Sequence, residues 1–422
     1  MPERTAKEEW QDGWKLVLAS FTGFYSFSII ISAMSAFMGP MGEEFGWSRT
    51  LLSAGTSISA IVTMVLSPVF GMLLDRFGTR RIAVPGVAMS AIVVVLMATN
   101  TGSGSYWLAL WLVYALAGLF VNTPVWAQAV SSLFDKSRGL ALGVALAGAT
   151  AAHSTIPPLS VFLIDELGWR MAFVVLGGGL GSVAWLVCLL LFYDARDRDR
   201  LRPARTPDEA GGAATRALTG LTLAEAWRST ALWRIGISIM VIMALTIGFL
   251  VHQIEILVGT GVTRGNAAML AGLAGAMGVV GKLVTGWLID RYPGNLVGGL
   301  TMSTAGIAFA LLIGGIASPV LIVLAMLVNG YTAGAKLHIT SYLTVQHAGM
   351  RNFGKVYGVI SSMVAVGSGS GTILAGWIYD TTGSYEPFLM GGSVALVASA
   401  ALMLSLPRYP DWSAATARPA LA

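Results

Sequence analysis

Two lysines, Lys282 and Lys336, and two histidines, His153 and His338, stand inside long apolar runs of the chain. An ionisable group in hydrocarbon costs several kcal/mol, roughly 3 on insertion scales, so each is a functional candidate. Lys282 lies eight residues before Asp290 and Lys336 eleven before His347. At 1.5 Å per helical residue these are depths of about 12 and 16 Å from the same side. No Asp or Glu reaches that level, and the nearest, Glu255, falls at the far end of its run. Two ammonium groups without a fixed carboxylate make a positive field that a bound anion would neutralise. The plainer readings are snorkelling of Lys282 toward headgroups, pairing of Lys336 with a helix terminus or carbonyls, and packing roles for the histidines. His338, two residues from Lys336, points to another helix face. The polar Tyr25, Asn122 and Tyr331 sit on the same group of runs. His252 and Glu255, three apart, make either an outer gate or a capping pair.

Composition says what positions these residues. The chain has 422 residues, 55% of them hydrophobic and 11% charged, with a mean hydropathy of +0.73. A soluble domain carries about a quarter charged residues. Apolar runs fall at 16–38, 51–74, 82–100, 106–132, 140–163 and 171–193, and again at 232–257, 266–289, 296–316, 318–346, 356–378 and 386–406. Each is near the 20 or so residues that span a bilayer. This is an all-α integral membrane chain of twelve transmembrane helices. No H-E-x-x-H, G-x-S-x-G, P-loop or metal-spaced Cys/His cluster occurs, which argues against an enzyme. The lone Cys188 precludes a disulfide framework. The polar start, with Glu3, Glu8 and Glu9, lacks the basic opening of a secretory signal, so the first helix is expected to direct insertion.

One long polar stretch, 194–230, separates an N-terminal half (1–193) from a C-terminal half (231–422). It opens on alternating Asp and Arg and reads as a solvated linker. Thr222 and Glu225 near its end suit the capping box of a short surface helix. Twelve spans place both termini and this linker on one side, which takes 21 of the 26 basic residues. By the positive-inside rule that side is cytoplasmic, and the basic excess needs no nucleic-acid partner.

A fixed offset of 215 relates the halves. Gly46 maps to Gly261, Arg49 to Arg264, Gly71 to Gly286, Asp75-Arg76 to Asp290-Arg291, Asp165 to Asp380 and Gly168 to Gly383. Chance matches among glycine-rich helices would not hold one register over this length. Two parallel repeats about an axis along the membrane normal follow.

The stretch from Gly71 through Asp75, Arg76, Gly78, Arg80 and Arg81 resembles the signature of the major facilitator superfamily. Closer resemblance is to its monocarboxylate and oxalate/formate transporter group. It is carried by Glu43 to Arg49, by Arg138 to Gly143 with Gly148 and Pro157, and by Tyr357-Gly358 through Gly371 to Asp380, Gly383 and Tyr385. Asp12-Gly13-Trp14 matches that group in part. The resemblance implies a secondary transporter in two pseudo-symmetric six-helix bundles, with helices 3, 6, 9 and 12 toward lipid and the rest around a central cavity. It implies a gate at Asp75, Arg76 and Arg80. The second copy, Asp290 and Arg291, is followed by Tyr292-Pro293-Gly294 where basic residues would stand. Relatives hold the substrate carboxylate with an Arg four residues before the helix 8 glycine, and here that position is Lys282. The Asp that proton-coupled relatives carry four residues earlier is Gly278 here. A histidine, or anion exchange, must then serve for coupling. We therefore expect an inner-membrane carrier of small organic anions, carboxylates foremost, working by alternating access as a monomer without cofactor, with protons or a second anion as co-substrate. The expected binding residues are Lys282, Lys336, His153, His338, Tyr25, Asn122 and Tyr331. The alternative, an exporter of drugs or other metabolites, would want a carboxylate among them.

Overall fold

The computed structural model describes residues 5–134, 136–193, 220–314, 318–349 and 351–410. Most of the linker, 194–219, and the side chain of Asp75 lie outside the described residues. Ten stretches among the described residues are long and apolar enough to cross a membrane. One of them, Arg138–Leu191, runs for 54 residues and is broken at Gly168, whose φ of 78° and ψ of 158° leave the helical region. It therefore holds two spans. Gly294–Ala310, at 17 residues, supplies another.

In chain order these are α1 (Ala6–Phe45), α2 (Arg49–Phe77), α3 (Thr79–Leu96), α4 (Gly104–Ser131), α5 (138–167) and α6 (169–191). The second set is α7 (Thr230–Gly259), α8 (Arg264–Ile289), α9 (Gly294–Ala310), α10 (Pro319–Ala348), α11 (Phe353–Thr382) and α12 (Glu386–Leu404). The glycines of the 215-residue repeat explain its register. Gly46 and Gly261 have φ of 66° and 88°, and Gly168 and Gly383 have 78° and 73°. Only glycine enters that region cheaply, so both copies end helices at the same places.

Helix α1 begins ten residues before the apolar run at 16. Its polar first turns are held by a capping box between Thr5 and Glu8. Glu9 is buried, and its carboxylate accepts the backbone N–H groups of Lys136 and Ser137, each at 3.0 Å, just ahead of α5. Helix α4 is interrupted after Leu119 and restarts at Thr123. The short helix Leu223–Arg228 carries the Thr222–Glu225 capping box, which holds the Glu225 carboxyl below the usual carboxylate range, chiefly through its hydrogen bonds to Thr222.

Two compact units emerge. The first comprises Met1–Arg205, Phe249–Ala276 and Thr372–Gly383, and the second Thr206–Gly248, Met277–Gly371 and Ser384–Ala422. Within the first, a Cβ on Gly148 of α5 would lie 2.1 Å from Phe21 O of α1. Within the second, a Cβ on Gly371 of α11 would lie 1.8 Å from Ala244 O of α7. Such backbone approach is how helices gain packing where no hydrophobic effect drives them together. Trp107, Trp111 and Trp126 are fully buried, whereas Trp287 and Trp377 are exposed.

Candidate functional site

In the second unit, α8 and α10 cross in backbone contact. A Cβ on Gly334 would fall 1.9 Å from Gly278 O, and one on Gly281 would fall 2.1 Å from Tyr331 O. This crossing fixes the surroundings of both lysines, because Lys282 follows Gly281 and Lys336 lies two residues after Gly334. Lys336 is 4% exposed, and its ammonium donates to the Thr246 hydroxyl of α7. Lys282 is half-buried. One turn further along α8, the Thr285 hydroxyl donates to Tyr331 Oη at 3.3 Å, tying Tyr331 to the lysine-bearing segment. His338 is exposed on a different face from Lys336, and the Lys282 charge acts on its imidazole. Lys282, His338 and Tyr331 thus form one neighbourhood.

In the first unit, Tyr25 of α1 and Thr155 of α5 share a hydrogen bond of 2.7 Å. Two residues away, His153 Nδ1 bonds the Ser32 hydroxyl at 2.7 Å. Both polar pairs lie on the α1–α5 contact. Gly275 of α8 seats against the His153 backbone, where a Cβ would come within 2.5 Å of its carbonyl carbon. Asn122 stands at a helix start: its side chain accepts the Thr123 N–H at 2.8 Å and caps the second segment of α4. Thr246, Thr155 and Ser32 had no signal of their own in the sequence, since hydroxyls are common in such helices.

A second constellation joins the helix ends opposite those beside the linker. The Asp380 carboxylate at the end of α11 accepts Arg49 N–H at 2.8 Å, Thr50 N–H at 2.9 Å and the Thr50 hydroxyl at 2.5 Å, capping α2. Arg49 Nη2 donates to Glu255 of α7 at 2.6 Å. Arg264, the repeat partner of Arg49, donates instead to Ala36 O of α1. His252 and Glu255 have separate partners: fully buried His252 bonds Thr372 O at 3.1 Å through Nε2. Of the gate candidates, Arg80 donates to Leu189 O at the end of α6 at 3.0 Å. Arg76 is exposed over the Phe77 ring, Arg291 lies 4.1 Å from the Trp287 ring centroid, and Asp290 is exposed.

Twelve apolar helices among the described residues, with paired polar contacts between helices and a set of charges inside the spans, make a polytopic carrier fold. The Major Facilitator Superfamily profile matches residues 16–313 and 259–420. The chain belongs to that superfamily, and so is a membrane transporter and not an enzyme. It is 26% identical over 432 residues to monocarboxylate transporter 13 of Rattus norvegicus, covering 99% of this chain and 95% of that one. It is 22% identical to monocarboxylate transporter 12 of Xenopus laevis, over 93% of this chain and 88% of the relative. The crystal structure of the nucleoside transporter NupG superposes with a TM-score of 0.69, covering 94% of this chain and 99% of that one, and at 14% identity it bears on the fold alone.

Proposed function

We propose that this transporter carries small organic anions, carboxylates foremost, by alternating access. The observation that supports the reading most is Lys336. It is a buried ammonium whose partner among the described residues is a neutral hydroxyl, that of Thr246. A buried charge without an opposite charge is costly, and an anionic substrate would repay that cost when bound. Lys282 supplies a second, more accessible cation in the same unit, with His338 and Tyr331 beside it. Together they suit an anion that exchanges hydration for ammonium and hydroxyl donors. The names of the relatives, monocarboxylate transporters, agree with this choice. His153 and His338 are the available proton carriers if transport is proton-coupled; without them the cycle is anion exchange.

In the same reading the termini and linker are cytoplasmic, the membrane is the inner one, and a single chain suffices for the cycle. Asp75, Arg76 and Arg80, with Asp290 and Arg291 in the second copy, work the gate on the linker side. The Arg49–Glu255–Asp380 group works the opposite one. The test is a thermal-shift screen of the purified protein against mono-, di- and aromatic carboxylates, organic cations and neutral amphiphiles. A bound ligand stabilises by RT ln(1 + [L]/Kd). Carboxylates should raise the melting temperature of the native protein and raise it less for Lys336→Gln, with dicarboxylates losing most. Stabilisation by cations or neutral compounds alone would overturn the anion reading.

A further inference from the structure

A cleft open to the exterior separates the short helix Leu223–Arg228 from the first turns of α7 and α11, all within the second unit. Ten residues line it, and nine of them are apolar, among them Leu223, Trp227, Trp233, Val359 and Met363. The tenth is Lys355. Trp227 is 57% exposed and Trp233 40%, although their rings lie 5.7 Å apart and Trp233 Nε1 donates to Trp227 O at 3.0 Å. The pair is held in place, yet much of its apolar surface is uncovered. Water is a poor occupant for such a slot, and exposed apolar patches of this kind mark contact with another molecule.

The cations on and beside its lining say which molecule. Lys355 is exposed and makes no ion pair among the described residues, and neither does exposed Arg228 in the last turn of the short helix. Among the described residues the acid nearest by sequence, Glu225, makes its hydrogen bonds with Thr222 and not with these cations. Glu225 Oε2 accepts both the backbone N–H and the hydroxyl of Thr222 at 2.8 Å, and it feels the charge of Arg351. The cleft opens where spans α7 and α11 begin, the level at which tryptophans and headgroups meet. An apolar slot lined at one point by Lys355, which makes no ion pair among the described residues, complements an amphiphile with an anionic head.

We propose that the cleft binds an anionic phospholipid from the leaflet beside the linker, with an acyl chain against Trp227, Trp233 and Met363 and its phosphate at Lys355. The lipid would pin the short helix to α7 and α11, and so tie the linker to two transmembrane segments.

The test is native mass spectrometry of the purified full-length protein in a neutral detergent, with phosphatidylglycerol or phosphatidylcholine added. The native protein should retain phosphatidylglycerol in preference to phosphatidylcholine. Lys355→Gln should weaken phosphatidylglycerol retention about fivefold, from roughly 1 kcal/mol per basic residue near an anionic surface. Val359→Trp, which fills the slot, should lose both lipids from this site. Lys355→Gln alters an exposed side chain, so its test survives even if Val359→Trp does not fold. Equal retention of the two lipids by the native protein, or retention unchanged in Lys355→Gln, would overturn the proposal, as would a co-purified polypeptide in place of lipid. Carboxylate binding is not read in this measurement, so the anion reading stands or falls separately.

Discussion

Arg49 and Glu255 meet at 2.6 Å across 206 residues of chain, with side chains only 16% and 15% exposed. The same Arg49 gives its backbone N–H to Asp380, so one residue at the start of α2 is held by both α7 and α11. Each half of this arrangement depends on the other. The Asp380 cap orders the first turn of α2, and the ordered turn aims the guanidinium at Glu255. A pair shielded in this way is worth more than a surface ion pair, because less water and salt reach it. Gly376 of α11 lets the helices close, since a Cβ there would sit 2.8 Å from Thr50 N.

Asp380→Ala should loosen these helix ends. It removes three hydrogen bonds from the start of α2, and loss of a capping side chain costs about 1 kcal/mol. Ser53 is fully buried beneath the clamp, with its hydroxyl donating to Thr372 O at 3.1 Å. In a Cys188→Ser background, a Ser53→Cys thiol should therefore react with a soluble maleimide several times faster when Asp380 is replaced. An unchanged rate would mean that other contacts hold α2 and α11 together.

The glycine crossing of α8 and α10 makes a stability prediction with an internal control. Gly334→Ala places a Cβ 1.9 Å from Gly278 O, a backbone atom that cannot turn aside. Overpacking of this kind costs about 1–3 kcal/mol, and a melting curve should show it. Gly286→Ala meets nothing within 4 Å, and alanine favours helix by about 1 kcal/mol over glycine. Its melting temperature should hold or rise. Equal melting temperatures for the two variants would refute close contact at Gly334.

The apolar runs are legible because each helix has to be long and oily, and the repeat is legible in part because Gly46, Gly261, Gly168 and Gly383 mark positive φ at helix ends. What hydropathy misses is polar helix. Residues 6–15 join α1 through the Thr5–Glu8 capping box and the docking of Glu9 ahead of α5, and neither raises apolar content. Asn122 reads as a binding residue because it is polar in an apolar run; an asparagine followed by Thr123-Pro124 also suits a helix cap, and its side chain accepts the Thr123 N–H. Arg49 and Asp380 stood out as repeat positions, yet their repeat partners Arg264 and Asp165 do not reproduce the clamp among the described contacts. Pairing over 331 residues follows from how helices pack, which local spacing does not encode.

Lys336→Met should separate stability from binding. Methionine keeps an unbranched apolar side chain and removes a charge that burial makes costly, leaving the Thr246 hydroxyl to bond Ile242 O, which it already does at 2.6 Å. Replacing buried charge with well-packed apolar volume is often neutral or stabilising by about 1–4 kcal/mol. The melting temperature without ligand should stay level or rise, and the increase produced by carboxylate should shrink, most of all for dicarboxylates. A variant that melts lower but still binds anion as the native protein does would make Lys336 a structural residue.

Lys282 carries the sharpest prediction. It is half-buried, next to a glycine that seats on Tyr331 O, and its charge reaches His338. By the resemblance to carboxylate carriers it is also the position expected to hold a substrate carboxylate. A hydrogen bond to a charged group is worth roughly 1.5–3 kcal/mol, so Lys282→Gln should weaken carboxylate affinity about tenfold to a hundredfold. Lys282→Arg should keep part of it, because the charge survives while a planar fork replaces a point donor. If each lysine takes one carboxylate, Lys336→Gln should weaken dicarboxylates more than monocarboxylates, and the Lys282 variants should weaken both. Equilibrium binding to monodisperse variants decides among these outcomes. Native affinity in a well-folded Lys282→Gln protein would return Lys282 to a snorkelling role and leave the anion reading resting on Lys336.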